Sequence, residues 1–367
     1  MLTKVIRPYG KLYNISDFLQ DIITNHNTHL VLFCPQEHVP LAEPDIQRYA
    51  KSELFTKIAN ARTHMACHNV RVSIVVGRTK YPEYPEMRYT DSFMIYWNEV
   101  FDAITDDVTY LADWWIKDGA CRHYQSRHND MQFPLAYGEL EHTCTMRSQR
   151  PHFHRCVMMD NLAAFRLIHD QYSWRMLTSE YPASRPYQFK HWQEKILDPG
   201  EYCLNASIAS ENFDAFNAQH QGEMNSLVEV VAESTTQSVF WTEKTTKWLL
   251  YGKAFVIIGA PEINVRLQDL GFQLYDELIS YQFDCEFDLH VRAKGLAHEL
   301  HMLNINYPTP ESRQQLLTAI RPKLQHNHDR LLELINQDYP GTIPSWMDED
   351  SVNLLDSVRN SINNQSD

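Results

Sequence analysis

The chain has 367 residues, of which 43% are apolar, 12% aromatic and 22% charged. This excludes disorder, collagen and coiled coil as whole-chain answers and supplies core for two domains or one large one. Lys and Arg total 33 against 47 Asp and Glu, a formal charge of −14, so a nucleic-acid role needs a local basic patch set against the overall field.

Met1 to Pro8 breaks with charge and proline before any apolar run. With no stretch of about eighteen apolar residues anywhere, neither a signal peptide nor a membrane span is expected. Leu30–Phe33, an apolar run ending in Pro35, reads as a buried strand. Residues 46–66 carry helical spacing through Tyr49, Leu54, Ile58 and Ala61. Val70–Val76 is the clearest strand, closed by Gly77, and Ser92–Trp97 reads as a third, followed by a helical stretch through Val100, Phe101 and Ile104. Residues 118–141 are polar and irregular, and a domain boundary is expected there. A second alternating series follows: strand 142–146, helix 153–168, strand 226–232, helix 243–251, strand 254–259 and helix 262–270. Between them, 176–224 reads as loop-rich, with Pro182, Pro186, Pro199 and Gly200. Strand–helix alternation in both halves predicts parallel βαβ units and open α/β sheets. Thr309-Pro310-Glu311 opens a long apolar-faced helix in which Pro322 predicts a kink, and residues 363–367 should fray.

The informative stretch runs from Leu227 to Phe272. An apolar strand ends at Glu233-Ser234, Thr242-Glu243-Lys244 opens a helix that closes at Gly252, and a second strand runs into Gly259-Ala260-Pro261. Thr242 suits the cap of that helix, so the positive dipole end faces the crevice beyond the strand ends, where open α/β sheets bind ligands. A diphosphate would be held there by the dipole and Lys244, while Glu243 would accept hydrogen bonds from ribose hydroxyls. An ordinary surface helix with a solvated Lys244 is the alternative reading of the tripeptide alone.

Taken in order and at their intervals, Glu233-Ser234, Phe240, Thr242-Glu243-Lys244, Gly252 and Gly259-Ala260-Pro261 resemble the donor-site signature of the α1,3-fucosyltransferases. They also resemble the fucosyltransferase-like proteins of bacteria and phages, the phage type in particular through Leu267–Phe272 (LQDLGF). Upstream, Arg150-Pro151-His152-Phe153-His154-Arg155 is similar to the basic segment opening the family's C-terminal domain, whose arginine contacts the donor diphosphate. The likeness covers roughly residues 142–285. Ser234 stands where the family usually carries Asn, and Phe240 where an aromatic hydroxyl often stacks on the base; the sugar and nucleotide are therefore left open.

The resemblance implies an α/β, GT-B-like fold of two Rossmann-like domains with a cleft between them and a helical C-terminal tail. Residues 1–140 would form the acceptor domain, 141–308 the nucleotide-sugar-binding domain, and 309–367 helices near the domain junction. The implied activity is metal-independent glycosyl transfer from a nucleoside-diphosphate sugar, a co-substrate, with no cofactor. Arg155 and Lys244 would stabilise the leaving diphosphate. Arg150, Ser234, Phe240, Thr242 and Glu243 would complete the donor site, and Glu37, after the first strand, would be the general base. The acceptor is a glycan or small carbohydrate, or a phage hydroxymethylated DNA base, for which Arg78, Lys80, Arg122 and Arg127 would supply a basic patch. A catalytically inactive GT-B module acting in binding or assembly is the competing function.

Other chemistries find little support. No glycine falls in a G-x-G-x-x-G or G-x-x-x-x-G-K pattern, and no G-x-S-x-G occurs. His298-Glu299-Leu300-His301 has its histidines three apart where a zincin needs four. His152-x-His154-x-Cys156 diverges at a helix start, and Asp284, Glu286, Asp288 and Asp348-Glu349-Asp350 read as acids ahead of helices. No catalytic metal is expected. Trp114-Trp115 reads as packing, with sugar stacking the lesser use. The seven dispersed cysteines lack a C-x-x-C, which points to a reducing, cytoplasmic setting.

Overall fold

The computed structural model describes residues 1–6, 15–34, 51–77, 103–110, 116, 137–146, 152–168, 187, 190–191, 225–236 and 238–336. The protein is mixed α/β with two small parallel sheets, and its described residues fall into two compact units, one within Met1–Asp118 and one within Gly119–Asn336.

The first unit runs β1 (Leu2–Ile6), α1 (Ile15–Thr24), β2 (Thr28–Cys34), α2 (Lys51–His68), β3 (Arg71–Val76) and β4 (Asp107–Tyr110). The strands pair in parallel in the order β1-β2-β3-β4, with Lys4 opposite Leu30 and Leu30 opposite Val72. Parallel strands are covered on both faces, which is why Leu30, Val31, Leu32 and Val72 are all fully buried. One face packs Leu30, Leu32, Val72, Ile74 and Val76 against Phe18 and Ile22 of α1 and Leu54, Ile58, Ala61 and Met65 of α2. Both helices cover the same face because each crossover returns in the same right-handed sense.

The second unit contains β5 (His142–Met146), α3 (Phe153–Ala164), β6 (Ser226–Ala232), α4 (Glu243–Tyr251) and β7 (Ala254–Ile258). Short 3-10 turns follow at Val265–Leu270 and Gln282–Cys285, then α5 (Leu289–Asn306) and α6 (Pro310–Asn336). The sheet order is β5-β6-β7, all parallel. Every residue of β6 and β7 is buried. Gly252 ends α4 at φ 66°, a left-handed turn that costs glycine nothing.

At the start of α6, Thr309 and Ser312 cap each other reciprocally: Ser312 N donates to Thr309 Oγ1 and Thr309 N to Ser312 Oγ, each at 3.2 Å. The helix continues through Pro322. Arg313, buried, donates to Leu140 O at 3.0 Å and Glu141 O at 2.9 Å, anchoring α6 beside the start of β5. Farther along, His328 Nδ1 bonds Leu250 O at 2.9 Å, which seats α6 on α4.

Several elements depart from the sequence reading. Leu2–Ile6 is a strand despite its charge, because β2 supplies the hydrogen-bonded partner. β4 begins at Asp107, and its backbone pairs with β3 although its own residues carry no apolar run. The helix expected over 153–168 stops at Ala164, after which Arg166 turns at φ 57°. The helix expected over 262–270 is a 3-10 turn over Val265–Leu270 ended by Gly271 at φ 87°. The expected strand Ser92–Trp97, all of the loop-rich stretch 176–224 except residues 187, 190 and 191, and the fraying tail lie outside the described residues.

Candidate functional site

In the second unit β6 and β7 end side by side at Ala232 and Ile258. At these carboxyl ends stand the beginnings of α3 and α4. Backbone N–H groups of a helix start lack intrahelical partners and carry the positive end of the dipole, so such a position favours negative charge.

At α4 that charge comes from the chain itself. Glu233, fully buried just after β6, accepts from Thr242 N at 2.9 Å, from Thr242 Oγ1 at 2.6 Å and from Thr245 Oγ1 at 2.5 Å. All three partners are donors, which suits an ionised carboxylate. Burial holds the Glu233 carboxyl above its ordinary value, a push that Lys244 and the Thr242 and Thr245 donors oppose without cancelling. Thr242 is the N-cap and its Oγ1 accepts from Lys244 N at 3.3 Å. Lys244 Nζ reaches Thr242 Oγ1 at 3.1 Å and Ser234 Oγ at 3.3 Å. Ammonium, hydroxyl and carboxylate thus form one chain across the end of β6.

The first turn of α3 brings the other cation. Arg155, buried, places Nη2 at a long 3.5 Å from Ala232 O. Its neighbour His154 is also buried, with Nε2 2.6 Å from Glu233 O; because a carbonyl only accepts, Nε2 carries the proton. Burial first, then the charges of Arg155, His152 and Arg292, holds His154 well below the ordinary histidine range, so it is neutral. The His152 ring stacks on it with centroids 5.9 Å apart. Arg292 of α5, buried, donates Nη2 to Gly259 O at 2.8 Å, just past the end of β7. Arg155, Lys244 and Arg292 therefore gather with Glu233 around two strand ends and two helix starts.

Of the expected donor-site residues, the structure brings Arg155, Ser234, Thr242 and Lys244 together. Glu243 opens α4, but its side chain is not among those described; Glu37 and Arg150 lie outside the described residues. So do Trp114-Trp115, the Arg78, Lys80, Arg122 and Arg127 patch, and Asp348–Asp350. Phe240 departs from expectation: its ring is only 2% exposed, packed into the core, and offers no open face to a base.

The acids before α5 divide. Asp288 caps that helix through His290 N at 2.7 Å and Val291 N at 3.0 Å. Asp284 instead is fully buried, accepting from Asn264 N, Asn264 Nδ2 and Val265 N at 2.8, 2.7 and 3.0 Å. Asn264 in turn pairs with both Ile257 N and Ile257 O, at 2.8 and 2.9 Å, completing the outer edge of β7.

Glu233 and Arg292 are the site residues that local reading undervalues. Glu233 stands at the head of the motif Glu233-Ser234, but nothing in that motif gave it the role of fixing Thr242. Arg292 had none, since its partner just past the end of β7, Gly259 O, lies 33 positions away. His298 and His301 lie on α5 against Phe165, with ring centroids 6.1 and 5.3 Å away. Among the described residues, the one group of three metal-competent side chains close enough to share an ion is His26, His64 and His68, in the first unit.

Comparison with protein-family models, curated proteins and solved structures finds no match for this chain.

Proposed function

We propose that the protein is a metal-independent glycosyltransferase of GT-B type that takes a nucleoside-diphosphate sugar in its second unit. The observation that supports this most is the convergence of Lys244 and Arg155 on the carboxyl end of β6, beside the capped start of α4. In glycosyl transfer, negative charge develops on the departing diphosphate, and cations held in place beforehand stabilise it without reorganisation. Lys244 and Arg155 take that role, Glu243 orients the ribose, Ser234 and Arg150 border the donor, and Glu37 is the base that accepts the acceptor proton. Glu233 serves as a positioning residue: it fixes Thr242 and the first turn of α4, so that Lys244 is held at the site.

The charge of −14 favours a glycan or small carbohydrate acceptor over DNA, whose phosphates it repels. Among the described residues no helix is long and apolar enough to cross a membrane.

A thermal-shift panel of UDP-, GDP-, ADP-, CMP- and TDP-sugars on the full chain tests the reading, because a ligand that binds only the folded state raises apparent stability. One nucleotide class should stabilise the protein, and its sugar should be released or transferred in EDTA as readily as without it. Stabilisation by none of the four diphosphate sugars, or by the monophosphate CMP-sugar alone, overturns the proposal. Donor binding with neither hydrolysis nor transfer would instead favour an inactive binding module.

A further inference from the structure

His64 and His68 are one helical turn apart at the end of α2, so they share a face. His26 stands in the turn between α1 and β2, and that turn is docked on the same helix end by three hydrogen bonds and braced by a fourth within itself. Asn27 N donates to His68 O at 2.9 Å, and Asn69 Nδ2 to Asn27 Oδ1 at 3.2 Å. Thr28 Oγ1 donates to His26 O at 2.8 Å, and His64 Nε2 lies 3.0 Å from Asn25 O. Both connections turn through left-handed asparagines, Asn27 at φ 50° and Asn69 at φ 52°. As a result the three imidazoles face one another, with ring centroids 4.2, 4.5 and 5.3 Å apart. One nitrogen from each lies within 4.8 Å of the others.

We propose that His26, His64 and His68 form a binding site for a divalent transition-metal ion, with Zn²⁺ the favoured occupant. Three imidazoles without a carboxylate suit Zn²⁺, Cu²⁺ or Ni²⁺ and disfavour Mg²⁺ and Ca²⁺. The Asn25 carbonyl can only accept, so His64 keeps its proton on Nε2 and binds through Nδ1; such a bond to the second ring nitrogen orients a metal-binding histidine. The site also lies at the carboxyl end of α2, where the helix dipole favours a cation. Zinc–nitrogen bonds of about 2.0–2.1 Å in tetrahedral geometry place ligand nitrogens about 3.3 Å apart. Small side-chain rotations close that gap, because His26 and His68 are exposed. Water from solvent completes the fourth position.

This corner lies at the amino ends of β2 and β3, whereas open parallel sheets bind substrates at the carboxyl ends. The ion therefore acts as a staple joining the α1–β2 turn to α2, and it makes the stability of the first unit depend on metal. The site is independent of the donor site proposed above.

Isothermal titration of the untagged full chain with ZnCl₂, after EDTA treatment and dialysis, tests the proposal. Wild type should take up about one Zn²⁺ per chain and melt at higher temperature with it. His26→Ala and His68→Ala, both exposed changes, should each weaken binding by more than about 100-fold, beyond what loss of an outer partner costs. Their far-UV circular dichroism without metal should match wild type. Co²⁺ should give tetrahedral d–d absorption in wild type and lose it in the variants. No stoichiometric Zn²⁺ uptake by wild type, or uptake undiminished in both variants, overturns the site.

Discussion

The hydroxyl of Thr242 donates to Glu233 Oε2 at 2.6 Å while its oxygen accepts from the Lys244 ammonium at 3.1 Å. One side chain thus joins the end of β6 to the first turn of α4. It sets an ammonium and a buried carboxyl on either side of a helix cap. This relay holds the Lys244 ammonium and the Glu233 carboxyl together at the start of α4.

Replacing Lys244 tests the donor reading directly. A charge-assisted hydrogen bond to a diphosphate is worth roughly 1.5–3 kcal/mol. Lys244→Ala should therefore weaken donor binding on the order of tenfold to a hundredfold by calorimetry, and Arg155→Ala should do the same. Melting temperature without ligand separates this from damage to the fold. Donor bound by both variants as tightly as by wild type would mean these cations do not meet the diphosphate.

Glu233→Gln should destabilise the folded state by about 1–3 kcal/mol in urea denaturation. The amide presents N–H groups where Thr242 and Thr245 already point donors, leaving a buried pair unsatisfied. It also removes the anion from the start of α4. Equal stability of variant and wild type would show that the carboxylate does not hold the helix start.

Asp284 gives the protein a signed pH dependence. Burial raises its carboxyl from 3.8 to about 6. Between those values the folded state holds more protons than the unfolded chain, so this group lowers stability as pH rises through about 4 to 6. Asp284→Asn removes that slope at the cost of a misplaced amide. The stability gap between wild type and variant should then narrow from pH 4 to pH 7. Parallel pH profiles would show that Asp284 titrates as it does in water.

Asn264 bonds Ile257 N, Ile257 O and Asp284, all buried. Asn264→Ala should lower stability by about 2–4 kcal/mol, since it orphans a strand edge and a carboxylate together. Asn264→Asp should be worse, because a second carboxylate would face Asp284. Denaturation showing the aspartate variant to be the milder of the two would contradict this account.

Local sequence was enough for the elements whose code is local. Val70–Val76 and Leu227–Ala232 are short segments dominated by β-branched residues, the composition of a parallel strand covered on both faces. The boundaries of α4 follow from a capping threonine and a left-handed glycine, both intrinsic to their residue types. Lys244 beside Thr242 was legible for the same reason: the pair is two residues apart and its geometry is that of a helix start.

Tertiary structure decided what depends on partners far along the chain. Leu2–Ile6 is extended because β2 pairs with it. Phe240 is buried because the second unit closes over it, although its position in the motif suggested an open ring. Arg292 meets Gly259, and His26 meets His64 and His68, only after the sheets have formed. A hydrogen bond or a shared ion needs atoms within a few ångströms, and for residues 33 or more positions apart only folding sets that distance.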